Sequence, residues 1–414
     1  MSLPRTLWSL GLCITITQPL IAGDWPQILG PNRDGHAAKD ERLLESWPKE
    51  GPPLLWQRKV GGGFAGVAVV QETAVLFHRE EDDEVVETLD VSNGKTRWTS
   101  KSPTSFSSGF SDDQGPRCTP LIHGDRVIVF GVQGVLRCLE LKSGKQIWKR
   151  ATHAEFKAPE GYFGAGSSPI VVGDKVLVNV GAGKAGAGIV AFDLATGETV
   201  WKAVGDDASY SSPVITTVDG VKHVIFVTRL KTVSLDPETG KVRFEFPFGK
   251  RGPTVNGASP VLLDGHLLVS AHYGVGAVFA KIGANGADEL WNSDEILSSQ
   301  YMTPLVHNGL IFGLHGQERV GESELRCFDP RTQKVLWSKS GLGFGTLLLA
   351  DNKFVLLTTE GELILWQPDA KRYQELARTR LFRGTTRALP ALSNGRLFAR
   401  DTSTLKCVQL GIGK

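Results

Sequence analysis

The sequence predicts an all-β chain, an eight-bladed β-propeller of four-stranded antiparallel blades. Three observations predict it. A unit of four short strands occupies residues 168–202, and that unit recurs along the chain. Prolines at the start of successive units, at 120, 169, 213, 260 and 304, return every 44 to 49 residues. The last unit stops one strand short, while an unassigned strand stands ahead of the first unit.

The unit at 168–202 sets the pattern. Residues 169–172 are an apolar run broken by Gly173-Asp174, a hairpin signal because glycine tolerates positive φ. Residues 175–180 alternate and are β-branched, 188–194 form a second apolar run, and 198–202 carry a tryptophan. Between the last two strands lies Asp193-Leu194-Ala195-Thr196-Gly197. There the aspartate caps backbone amides and the glycine takes the left-handed corner. No segment of this unit sustains a 3.6-residue period, so it reads as a four-stranded antiparallel meander.

The other units follow at 63–99, 119–149, 212–246, 259–292, 303–338 and 345–377, with three strands from 389 to about 410. Residues 54–58, Leu-Leu-Trp-Gln-Arg, look like an outer strand and are expected to complete the eighth blade, removing two open sheet edges. In the turns, Gln333 stands where glycine is expected and the 285–286 turn is degenerate. Trp56, Trp98, Trp148, Trp201, Trp291 and Trp337 share one repeat position near the outer edge, with Phe244 and Leu376 in the corresponding slots of blades four and seven. A residue repeated around a ring is architectural: a wide ring fills the wedge between splaying blades.

The chain is 41% hydrophobic and 22% charged, with a net charge of +2, which is globular and gives no electrostatic case for nucleic-acid binding. Residues 1–23 read as an export signal, with Arg5 the only charge, an apolar stretch, and Ile21-Ala22-Gly23 at its end. Leu10-Gly11-Leu12-Cys13 has Leu12 where a lipoprotein signal needs a small residue, so lipidation is not expected. The mature chain would be monomeric, periplasmic or extracellular, without a membrane span. Residues 24–53, rich in proline and glycine, are expected to be an extended arm, and 54–414 the propeller.

The segment 191–201, AFDLATGETVW, resembles the tryptophan-docking repeat of PQQ-like β-propellers. The opening Asp24-Trp25-Pro26-Gln27, followed by Gly30-Pro31, resembles the start of secreted bacterial PQQ-like repeat proteins. The resemblance covers about 53–414. It implies the fold and leaves function open among quinone-dependent dehydrogenases, BamB-like assembly scaffolds and many secreted proteins of unassigned function.

Quinone-dependent dehydrogenases of this fold hold PQQ between a disulfide of adjacent cysteines and a tryptophan, with Ca²⁺ and a catalytic aspartate alongside. Cys118, Cys138, Cys327 and Cys407 are not adjacent, and there is no C-x-x-C-H and no G-x-S-x-G. The thiols are expected to be buried and unbridged, and no cofactor or metal is expected. Gly181-Ala182-Gly183-Lys184-Ala185-Gly186 matches a dinucleotide fingerprint, but a strand follows instead of a helix. The acidic run 80–84 reads as a solvated hairpin tip.

Long insertions at 100–117, 151–166, 181–188 and 315–323 all belong to connections that emerge on one face of a propeller. That face is the expected binding surface for a partner protein or small ligand. Near its axis stand Arg117, Tyr162, Tyr210, Asn256, His272, Tyr301, His315 and Arg387 as candidate site residues. The expected function is non-catalytic binding; the alternatives are a divergent PQQ-dependent oxidoreductase and an envelope-assembly scaffold.

Overall fold

The computed structural model describes residues 23–412 apart from 253 and 319. The export signal expected over 1–23 therefore lies outside the described residues except for Gly23. Eight four-stranded antiparallel sheets stand in a ring. Seven are meanders of consecutive strands. The eighth takes its first three strands from Ala391–Ser393, Arg396–Arg400 and Thr404–Gln409, and its outer strand from Leu54–Lys59. Trp56 lies opposite Cys407 and Lys59 opposite Thr404, so the front of the chain closes the ring.

One device repeats in all eight outer strands: a single-residue shift in register just before the slot that holds tryptophan. Cys138 pairs with Trp148 but Leu139 with Gln146, leaving Ile147 unpaired. Ala191 pairs with Trp201 but Phe192 with Thr199, leaving Val200 unpaired. Such bulges bend the strand and raise its twist. They expose the skipped residue, Val200 at 47%, and bring the next side chain over the neighbouring blade.

There each indole donates its N–H to the neighbouring blade's turn, in all but one case to the turn's second residue. Trp56 bonds Val91 O at 2.8 Å, Trp98 bonds Leu141 O at 2.8 Å, and Trp148 bonds Leu194 O at 3.0 Å. Trp201 and Trp291 repeat this on Pro237 and Pro330, and Trp337 bonds Asp369 O, one residue further along the blade-seven turn.

The two blades without tryptophan show why. Blade five turns between its outer strands through a tight hairpin in which Gly283 pairs with Gly286, and the facing residue of blade four is Phe244, which carries no donor. Blade eight has no turn between its outer strands, because they come from opposite ends of the chain. The facing slot in blade seven holds Ala377, opposite Leu365; Leu376, expected there from sequence, is the skipped, exposed residue. Trp47 from the arm is buried in the same cluster as Ala377.

Gln333 keeps the left-handed corner of its turn, at φ 59°, and the turn type does not change. Cys138, Cys327 and Cys407 all lie opposite a docking tryptophan, and with Cys118 they are buried, unbridged thiols. Burial pushes the Cys118 thiol up to about 12.

The arm, 24–53, is built into the ring. Trp25 exchanges backbone hydrogen bonds with Val69, and Ile122 donates to Pro26 O at 2.8 Å. Arg33, 3% exposed, fans its guanidinium onto Ser168 O (3.0 Å), Pro169 O (2.9 Å), Pro213 O (2.7 Å) and Gln27 Oε1 (3.0 Å). Three of these acceptors belong to the innermost edges of blades three and four. The His36 ring then reaches Val306 O at 2.8 Å, and the His36 backbone pairs with Leu349 of blade seven, whose carbonyl accepts from Ala37 N at 2.9 Å. The arm therefore bridges inner strands around the ring before turning outward to become the closing strand.

Of the insertions expected to be long, two are mainly strand. Lys175–Ala182 and Ala187–Asp193 leave a one-turn 3₁₀ segment, Gly183–Ala185. Leu310–Gln317 and Val320–Asp329 leave a tight hairpin. The crossings from blade one to two and from two to three remain long, and the second begins with the short helix Thr152–Phe156. No described helix is long and apolar enough to cross a membrane.

Candidate functional site: an axial bowl on the long-loop face

The crossings converge on a cavity of ≈360 Å³ at the axis. Its wall comes from most blade crossings, through Phe64, Phe110, Arg117, Phe163, Tyr210, Tyr301 and Arg387, and from a hairpin within blade five, through Tyr273. Ile28 and Leu29 of the arm also line it, so the segment anchored by Arg33 contributes to the wall of the channel mouth.

Two guanidinium groups flank one aromatic ring. Arg117 lies 5.9 Å from the centre of Phe64 and 5.7 Å from that of Phe163, and Arg387 lies 5.3 Å from Phe64. Stacking of this kind orders a guanidinium while leaving its edge for hydrogen bonding. Arg117 is ion-paired with Asp113 at 3.1 Å, and its Nη1 is buried without a hydrogen-bond partner. Burial holds the Arg117 guanidinium below its ordinary range, opposed by Asp113.

Arg387 also anchors a connected polar network. Arg387 contacts Glu318 through Nε at 2.9 Å and Nη2 at 2.7 Å, and the Tyr301 hydroxyl donates to the same carboxylate oxygen. Gln300 accepts from Glu318 N at 2.9 Å and donates to the Tyr273 hydroxyl at 2.8 Å. Burial, then the Glu318 charge, push the Tyr301 phenol well above its ordinary value, so it stays a donor.

Of the eight residues expected at the channel mouth, the fold brings Arg117, Tyr210, Tyr301 and Arg387 to the bowl. Tyr162 stands behind its wall, its ring against Phe110 at 4.9 Å. Asn256 is a staple: its side chain donates to Thr228 O at 2.9 Å, and its carbonyl accepts from Tyr210 N and Ser211 N. His272 bonds the Ser298 hydroxyl, and His315 contacts Arg326 at 3.0 Å. Burial, then Arg326, push His315 down to about 4.

Sequence reasoning missed Phe64, Phe163, Tyr273, Gln300 and Glu318. A usable signal existed for Glu318, which sits in the blade-six hairpin already marked as an insertion. Phe64 follows three glycines in a blade crossing, where only the fold makes it axial.

A family model described as outer membrane protein assembly factor BamB matches residues 82–339. The chain belongs to this BamB family of PQQ-like propellers. BamB of Yersinia pestis is 23% identical over 78% of this chain and 83% of its own length. Among solved structures, BamB from Moraxella catarrhalis aligns with a TM-score of 0.61 at 14% identity, covering 86% of this chain and 97% of that one. A europium-containing methanol dehydrogenase aligns with a TM-score of 0.65 at 12% identity, covering 95% and 90%. At such identities these likenesses establish the fold.

The bowl does not fit the quinone sandwich that the dehydrogenase branch implies. Among the described residues its lining holds neither a tryptophan nor a cysteine, and the repeated indoles are committed to blade seams. Its one lining carboxylate, Glu318, is engaged by Arg387 and Tyr301. Among the described residues no group of three or more His, Cys, Asp or Glu could hold a metal ion.

Proposed function

We propose that the chain is an exported, non-catalytic binding propeller. Its long-loop face receives a partner protein, and an aromatic or polar group of that partner enters the axial bowl. The observation that carries this reading is the state of the bowl's polar groups. Arg387, Glu318 and Tyr301 are already bonded to one another, and Arg117 is paired with Asp113. Acid–base or nucleophilic work needs a group poised to exchange a proton or attack. A prearranged aromatic wall whose carboxylate, phenol and guanidinium groups are already engaged with one another, with Arg117 Nη1 left without a hydrogen-bond partner, instead suits recognition. Likeness to proteins named as assembly factors supports the same reading.

The oxidoreductase alternative has its own support in the dehydrogenase fold likeness, so the test separates the two. Purified protein incubated with PQQ and Ca²⁺ is expected to lose quinone absorbance on gel filtration. It is also expected not to reduce an artificial acceptor with alcohols or aldoses. Stoichiometric retention with substrate-dependent dye reduction would overturn the non-catalytic reading.

A further inference from the structure

Apart from the bowl, a groove of ≈640 Å³ runs along the seam between blades seven and eight. It is lined by connections and strand ends that reach the long-loop face: the end of the closing strand Leu54–Lys59, the crossing after Gln374–Arg380, and the hairpin before Thr404–Gln409. Five cationic side chains, Arg58, Lys59, Arg380, Arg383 and Lys406, face one carboxylate, Asp401. The whole chain has a net charge of only +2, so this excess is local.

The single carboxylate is occupied internally. Asp401 accepts from the backbone N–H of Ser403 at 2.9 Å and of Thr404 at 2.7 Å, shaping its hairpin. Arg58 is shared with Glu87 at 2.8 Å and Arg380 with Glu362 at 3.6 Å. Lys406 donates to Leu381 O at 2.7 Å, with its ammonium 5.1 Å from the Phe382 ring centre. Lys59 and Arg383 are exposed and, among the described residues, make no side-chain hydrogen bond or ion pair. Clustered like charges repel one another, and a counter-charged ligand relieves that repulsion.

We propose that this groove binds an acidic, extended polypeptide segment of a partner protein. The cations are spread over the closing strand, the crossing and blade eight's third strand. Matching them takes several separated negative charges, which a run of Asp or Glu supplies and a single anion does not. This surface stands independently of the bowl, so its failure leaves the reading of the bowl untouched.

The test uses the whole protein and a fluorescein-labelled peptide of about ten glutamates, read by fluorescence anisotropy at low ionic strength. The double reversal Lys59→Glu, Arg383→Glu is expected to weaken binding about tenfold or more. The control reversal Lys241→Glu, Lys334→Glu makes the same change in net charge on opposite-face turns and is expected to stay within about twofold. Equal losses in both double variants, or no loss in the first, would overturn the assignment. Phosphatidylglycerol vesicles form a second arm. If vesicle binding depends on Lys59 and Arg383 while peptide binding does not, the surface is a lipid site and the proposal fails. Circular dichroism of each variant confirms that losses are not unfolding.

Discussion

Gly197 and Trp148 are fitted to each other across the seam between blades two and three. A Cβ on Gly197 would stand 2.6 Å from Cδ2 of the indole, and the same indole donates to Leu194 O at 3.0 Å. The glycine thus meets two demands, positive φ (74°) and a bare surface for the ring. Trp148→Ala is expected to cost about 3–5 kcal/mol in chemical denaturation, the range for emptying a buried aromatic site. Gly197→Ala should also destabilise, but by only about 1 kcal/mol once Trp148 is already alanine, because only the left-handed strain is left. Additive costs in that double-mutant cycle would mean the two residues are not coupled.

Gln333 holds the same corner without glycine's freedom, at φ 59°. Gln333→Gly is expected to raise stability by about 1 kcal/mol, the left-handed penalty being partly offset by a more flexible unfolded chain. A lower thermal midpoint for the variant would show that the glutamine side chain has a role of its own.

Arg33 joins the arm to the axis. Arg33→Met leaves its backbone acceptors on blades three and four without their donor, at a cost of about 3 kcal/mol. Arg33→Lys should not restore the loss, because an ammonium lacks the planar spread that serves Pro169 and Pro213 together. Deleting 24–60 removes the closing strand as well and should cause aggregation through two open sheet edges. A soluble deletion variant with unchanged thermal unfolding would contradict the observed closure.

The acidic run expected to be a solvated hairpin tip is exposed at 80–82, but Glu84 turns inward: it is 3% exposed and accepts from Val132 N at 2.8 Å. Burial pushes its carboxyl up to about 7, so the folded state holds a proton that the unfolded chain releases near 4.5. Its stabilising contribution is full below about 4.5, falls as pH rises, and is lost above about 7. Glu84→Gln should flatten that part of the stability–pH curve and make the protein more stable than wild type at pH 8, by roughly 2–3 kcal/mol. Parallel curves for the two proteins between pH 4.5 and 7 would show that Glu84 is not protonated in the fold.

The ring was legible because its instructions are local and repeated: a turn, a docking ring and a first-strand proline every 44 to 49 residues. The exceptions were legible only in part. Phe244 could be seen to replace tryptophan, but not that blade five lacks the turn an indole would bond. Alternation alone points to Leu376 as the docking residue, because it does not reveal the bulge that shifts the register by one. The bowl was half legible. Arg117, Tyr210, Tyr301 and Arg387 sit where crossings near the axis put them. Glu318 and Phe64 become neighbours of Arg387 only when blades one, six and eight close around the axis. Arg33's role depends on acceptors 135 to 180 residues away, which no local pattern announces.

The central claim, that the long-loop face is where this propeller meets its partner, is tested most directly by site-specific photo-crosslinking in the source organism. A benzoylphenylalanine at Phe110, 65% exposed beside the bowl, is compared with one at Lys241 on an opposite-face turn. The account predicts a discrete adduct of one mass from position 110, diminished by Tyr210→Ala, and none from position 241. Discrete adducts from position 241 with none from 110 would contradict it.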